Sequence, residues 1–161
     1  MSLIIKNKIQ ELMQGYPTIS DKYDVAPAVL EGETEVKAGA PVTYGSTAGR
    51  YVAVTAASNT VCGFVLATNV KVPNTYPAST QNQTYVAGDA FNLMIKGFIA
   101  VPLDSGATVE NIANGKAVAM LAGGALTTAG TSSATTIPGA FFTGATEVVN
   151  GVRLAEIAYN L

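Results

Sequence analysis

The alternation of apolar and polar side chains is longest over residues 90–102. Phe91, Leu93, Ile95, Ile99 and Val101 recur at period two, broken at Gly97, and Asn92, Met94, Lys96 and Phe98 fall between them. This pattern predicts a long, bent, half-buried β-strand. Gly88-Asp89 supplies the turn before it, Gly97 a kink and Pro102 the end of its ladder. Shorter runs predict strands at 29–36, 41–45, 50–56, 60–70, 84–88, 107–112, 116–121, 124–128, 137–143 and 151–159. Gly, Asn or Ser clusters separate most of them, the spacing of an all-β sandwich or barrel-like body. Residues 73–83 and 129–136 are polar and aperiodic and read as loops.

A different period precedes these runs. Ile5, Ile9, Leu12 and Met13 share one face of a helix expected over 3–14, with Gly15 placed to cap it. So short a helix needs a surface to lie on: its own β-body, or a groove of another subunit. Residues 15–28 hold Gly-Tyr-Pro, Ser-Asp and Ala-Pro and read as an extended, turn-rich segment. The chain thus divides into an N-terminal arm, 1–28, carrying a short amphipathic helix, and a β-rich body, 29–161. A shift that lays Val36 on Ile112, Gly39 on Gly115, Val42 on Val118, Val61 on Ile137 and Gly63 on Gly139 brings similar residues together. It has two readings: a duplication of β-units, about 29–72 and 105–145, bridged by the strand at 85–103, or the ease with which Gly/Val-rich chains align with themselves.

Composition narrows the function. Nine Lys and Arg against 11 Asp and Glu leave a net charge of −2, with no basic footprint for nucleic acid or anionic membrane. Only 12% of residues are charged, which fits either a surface partly covered by other subunits or an ordinary Thr/Ser-rich β surface. Cys62 is the one cysteine, so an internal disulfide is excluded. Its neighbours Val61, Phe64 and Val65 mark it as a small buried hydrophobe. No apolar run approaches the length of a spanning helix. The first residues lack the features of a signal peptide, so synthesis and retention in the cytosol are expected.

Histidine is absent, which removes the commonest general base, the Ser-His-Asp and Cys-His arrangements and the usual zinc ligands. Asp21 and Asp24 lie in the arm, and Glu31, Glu33 and Glu35 alternate along a predicted strand, where they read as a solvated edge that deters pairing with other sheets. No glycine cluster has the spacing of a phosphate-binding loop. Lys96 reads as a solvated stem. No catalytic residue, metal or cofactor is expected.

Residues 14–128 carry a series of short phrases in a telling order. Gln14-Gly-Tyr-Pro-Thr-Ile-Ser20 is followed by Ala38-Gly-Ala-Pro-Val42, Val61-Cys-Gly-Phe-Val65 and Val86-Ala-Gly-Asp-Ala-Phe91. Then come Lys96-Gly-Phe-Ile-Ala-Val101, Gly106-Ala-Thr-Val109 and Gly115-Lys-Ala-Val118. This series resembles the structural cement, or capsid decoration, proteins of tailed bacteriophages. Thr18 departs from it where the family often has Gly, and the helical prefix 3–14 is not carried over from the resemblance. The resemblance implies a non-enzymatic virion protein, made in the bacterial cytoplasm, that binds the outside of an assembled head and stabilises it. Its implied partners are the major capsid protein and further copies of itself, as a dimer or trimer. The expected contacts are Ile5, Ile9, Leu12 and Met13, with Tyr16 and Pro17 beside them. Two other functions compete: a tail-tube or head–tail joining protein, and a carbohydrate-binding, adhesin-like module suggested by the polar loops. The missing Trp and export signal weigh against the last.

Overall fold

The computed structural model describes residues 12–19, 22–67 and 83–161. Their regular structure is β throughout: β1 (Asp24–Leu30), β2 (Val36–Lys37), β3 (Pro41–Tyr44), β4 (Arg50–Ala53), β5 (Gly63–Val65), β6 (Thr84–Tyr85), β7 (Ala90–Pro102), β8 (Ala117–Met120), β9 (Leu126–Thr128), β10 (Thr135–Val149) and β11 (Val152–Tyr159). Short 3-10 turns lie at Val109–Asn111 and Ala122–Gly124.

Nine strands form one sheet in the order β1-β4-β3-β5-β7-β11-β10-β8-β9, and β2 pairs with β6 apart from it. The sheet curls into two rings. β1 pairs antiparallel with β7 and parallel with β4, closing β1, β4, β3, β5 and β7. β7 in turn pairs antiparallel with β11, and Leu103, just past β7, bridges in parallel to Leu126 of β9. That bridge closes β7, β11, β10, β8 and β9. The two rings follow one pairing scheme: β3 lies between β4 and β5 as β8 lies between β9 and β10. β7 belongs to both, its residues 90–96 meeting β1 and β5 and its residues 97–102 meeting β11.

This double membership follows from local geometry. Asp24 faces Lys96 while Val25 faces Met94, so Ile95 is the extra residue of a bulge. Gly97 then takes φ +135, where a Cβ would lie 2.5 Å from Tyr23 Cβ and 2.8 Å from the Lys22 carbonyl oxygen. Phe91 and Leu93 point into the first ring, with Leu30, Val42, Val65 and Tyr85. Ile99 and Val101 point into the second, with Val118, Leu126, Phe142, Ala155 and Ile157 all buried. Val54, Val61, Phe64 and Met94, on the outer wall of the first ring, belong to the second core. Phe64 meets Tyr159 edge-on at 5.1 Å.

Several expectations need correction. Residues 12–14 of the predicted helix are not helical, and Gly15 at φ +76 lies in a turn closed by Tyr16 N–H donating to Met13 O at 3.0 Å. Its other residues, 3–11, fall outside the described residues. β1 begins at Asp24, inside the segment read as a turn-rich arm, because β7 pairs with it from there. Glu31, Glu33 and Glu35 lie beyond β1 in a loop turned by Gly32 at φ +86, so they form no strand face. The stretch 107–112 is a 3-10 turn after an Asp104-capped bend rather than a strand. β10 runs well past the predicted 143, because β11 pairs with it as far as Val149–Val152. Its Pro138 and Gly139 fall where the β8 ladder slips between Thr136 and Phe141. Ile95, grouped with the buried face, is 38% exposed, and Met94 is buried.

Candidate functional site

Residues 12–19 cross the junction of the two rings. Gln14 is buried and donates through Nε2 to the Ala38 carbonyl at 2.7 Å. Gly15 N–H donates to Ala100 O at 2.8 Å, Ala67 N–H to Gly15 O at 2.7 Å, and Ala100 N–H to Tyr16 O at 3.2 Å. Thr18 N–H donates to Phe98 O at 3.1 Å, and Pro17 bridges to Ile99. Both backbone groups of Ala100 therefore serve the arm, on the edge of β7 away from β11. The fit is tight: a Cβ at Gly15 would lie 2.6 Å from Ala38 Cβ. At the outer end, Leu12 N–H donates to Glu147 Oε2 on β10 at 2.9 Å.

The expected contact residues thus take different places. Tyr16 and Pro17 are half-buried along β7, Leu12 is half-buried above β10, and Met13 is 50% exposed. Ile5 and Ile9 lie outside the described residues.

A second surface forms on the outer wall of the second ring. Ala117, Phe141, Ala158 and Phe98 face one another across β8, β10, β11 and β7. Phe142, Ile157 and Ile99, one position along each strand, point into the core, so this row points outward. Phe141 is 46% exposed, and Phe98 and Ala158 are half-exposed. Thr18 ends the row with a buried Oγ1 that has no hydrogen-bond partner among the described residues. Sequence reasoning missed this stripe, because only the strand register places Phe141 and Phe98 on either side of Ala158.

Chemistry is sparse. Among the described residues no three Cys, Asp or Glu side chains gather to hold a metal. A groove of about 470 Å³ at the ring junction is lined mainly by alkyl and backbone surface, including Val36, Pro41, Val54, Pro102 and Gly124. Glu31 accepts from Ser46 N–H at 2.7 Å and Ser46 Oγ–H at 2.6 Å, which holds its carboxyl below the ordinary value. Burial pushes the Tyr85 phenol up to about 12 and raises Tyr159 and the Cys62 thiol as well. Tyr85 donates to Leu66 O and Tyr159 to Val61 O, each at 3.0 Å. These are structural bonds of the cores, with no nucleophile–base pair among them.

The comparison that decides the family covers nearly the whole chain: residues 7–160 match the model of the structural cement proteins (E217 gp24/Pam3 gp6). The chain belongs to that family. Among solved structures, a chain of the capsid of Myoviridae phage XM1 superposes with a TM-score of 0.61 at 17% identity, covering 96% of this cement protein and 95% of that chain. At that identity the likeness is one of fold. No curated protein matches. The two-ring body, the arm along β7 and the outward stripe are therefore features of a cement protein.

Proposed function

We propose that this cement protein binds the outer surface of an assembled bacteriophage head and stabilises it, without catalysis and in more than one copy. The family match over residues 7–160 carries the reading. The partner is the major capsid protein, with a dimer or trimer of this chain as the bound unit, and the protein reaches the particle from the bacterial cytoplasm. Ile5, Ile9, Leu12 and Met13 form the docking face of the arm, and Tyr16 and Pro17 set its direction by lying on β7. Two features suit the task. Residues 14–18 of the arm bond across the joint of the two rings, so a pull on it is shared between them. The stripe through Phe141 and Phe98 offers apolar area whose small contribution per copy is multiplied over many copies.

The test uses purified heads that lack the protein. Recombinant full-length chain should co-sediment with them to saturation and raise the temperature at which they release their contents. Saturation at many copies per head separates cement from a tail or joining role. Absence of co-sedimentation, with glycan binding in its place, would overturn the proposal.

A further inference from the structure

The chain contains two Asn-Gly dipeptides, Asn114-Gly115 and Asn150-Gly151, and both asparagines are exposed. Asn-Gly is the pairing in which a backbone amide most readily attacks a side-chain amide, because glycine offers its nitrogen no steric cover. The fold treats the two sites very differently. Gly115 N–H donates to Phe142 O at 2.9 Å, and Lys116 N–H closes the surrounding turn onto Ala113 O at 3.0 Å. Gly144 presses against the same turn: a Cβ there would lie 3.4 Å from Asn114 N. The nucleophilic nitrogen at this site is held.

Asn150-Gly151 is the two-residue tip of the β10–β11 hairpin, with both residues left-handed at φ 49 and 79. Gly151 N–H makes no hydrogen bond among the described residues, and the space around its α-carbon is open. The Val149–Val152 pair closes the tip. Hairpin ends open locally at little cost, and opening lets Asn150 leave the left-handed region and turn its side-chain carbonyl towards Gly151 N.

We infer that Asn150 is a site of spontaneous deamidation, and that Asn114 is protected from the same chemistry by its fold. The Gly151 amide nitrogen, losing its proton to solvent base, forms a bond to Asn150 Cγ. The bond from Cγ to the side-chain nitrogen breaks, and that nitrogen leaves as ammonia. Water then opens the five-membered imide at either carbonyl, giving aspartate or isoaspartate. No oxidant or reductant takes part. The isoaspartate product adds a carbon to the backbone of a two-residue turn, so the Val149–Val152 pairing loses its geometry, and either product adds a negative charge. Three residues back stands Glu147, which holds Leu12 N–H, so the change reaches the arm's outer anchor.

The experiment follows the folded, full-length protein at mildly alkaline pH and physiological temperature. Peptide mass spectrometry and enzymatic isoaspartate labelling read each site, with a denatured sample run in parallel. In the folded protein Asn150 is expected to convert roughly fivefold or more faster than Asn114, as holding one amide in a hydrogen bond implies. In denaturant the two rates should converge. Asn150→Gln should remove most of the isoaspartate signal from the folded protein while leaving the Asn114 rate as it was. Equal rates in the folded state, or conversion at Asn150 only after denaturation, would overturn the inference.

Discussion

The phenol of Tyr159 donates to the carbonyl of Val61 at 3.0 Å, joining residues 98 positions apart and the two rings with them. Tyr159 sits in β11 and Val61 just ahead of β5, so this one bond spans the wall shared by both cores. Tyr159→Phe keeps the ring that packs on Phe64 and leaves the buried Val61 carbonyl without this donor. The expected cost is about 1–3 kcal/mol. Denaturant titration should show a lower midpoint with an unchanged slope, and an unchanged midpoint would mean that the carbonyl finds another donor.

Gly97 has no tolerable substitute. At φ +135 an L side chain is strained, and its Cβ would meet the backbone of Lys22 and Tyr23. Gly97→Ala is expected to destabilise by about 1–3 kcal/mol from backbone strain alone, with the clash adding to that. The thermal midpoint should drop by roughly 2–4 °C for each kcal/mol. Gly151→Ala, at a left-handed position with open surroundings, serves as the comparison and should cost less.

The long strand was the most legible part of the sequence, because both of its halves alternate and its punctuation is local. Residues 90–102 are the predicted bounds and those of β7. The bulge at Ile95 was not legible, since it answers a register set by β1, a strand whose own start lies in a Pro-containing stretch that local signals read as turns. The alternating Glu31, Glu33 and Glu35 misled for the opposite reason: period two was present, but Gly32 turns the chain and no partner strand faces it. Of the site, Met13 was expected as a contact from its place in the arm and is 50% exposed, whereas the stripe through Phe98 and Phe141 depends wholly on pairing through Ala158.

Gln14 tests how firmly the arm is seated. Gln14→Ala removes the donor to Ala38 O and opens a small cavity at the ring junction. A loss of about 1–3 kcal/mol is expected. Native-state hydrogen exchange should also speed up at the amides of Gly15, Ala67 and Ala100, which bond within the arm or to it. Acceleration spread evenly over all core amides would show instead that the arm never opens apart from the body.

Tyr85 makes stability depend on alkaline pH. Its phenol is pushed up to about 12 from 10.0, chiefly by burial and then by the nearby Tyr16. A group whose pKa is raised by folding stabilises fully below its unfolded value. Its contribution should therefore be intact below pH 10 and lost as pH climbs towards 12. Tyr85→Phe should flatten that part of the stability–pH curve. A curve of undiminished slope in the variant would assign the dependence to other groups, Tyr159 first among them.

Phe141 separates docking from folding. Because it stands on the outer wall and is 46% exposed, Phe141→Ser should change stability by no more than about 0.5 kcal/mol. Head binding in the co-sedimentation assay should weaken if the stripe is a contact surface. Undiminished binding would leave the arm as the sole docking element.

The sharing of β7 between two rings also sets an order of events in time. Every strand of the first ring has been synthesised once residue 96 is available, whereas the second needs the chain as far as Tyr159. During synthesis the amino-terminal half can therefore close while the rest is still being made, as leading units generally do. Its outer wall of Val61, Phe64 and Met94 is then a finished template, and the carboxyl-terminal half folds by adding strands to a surface already in place.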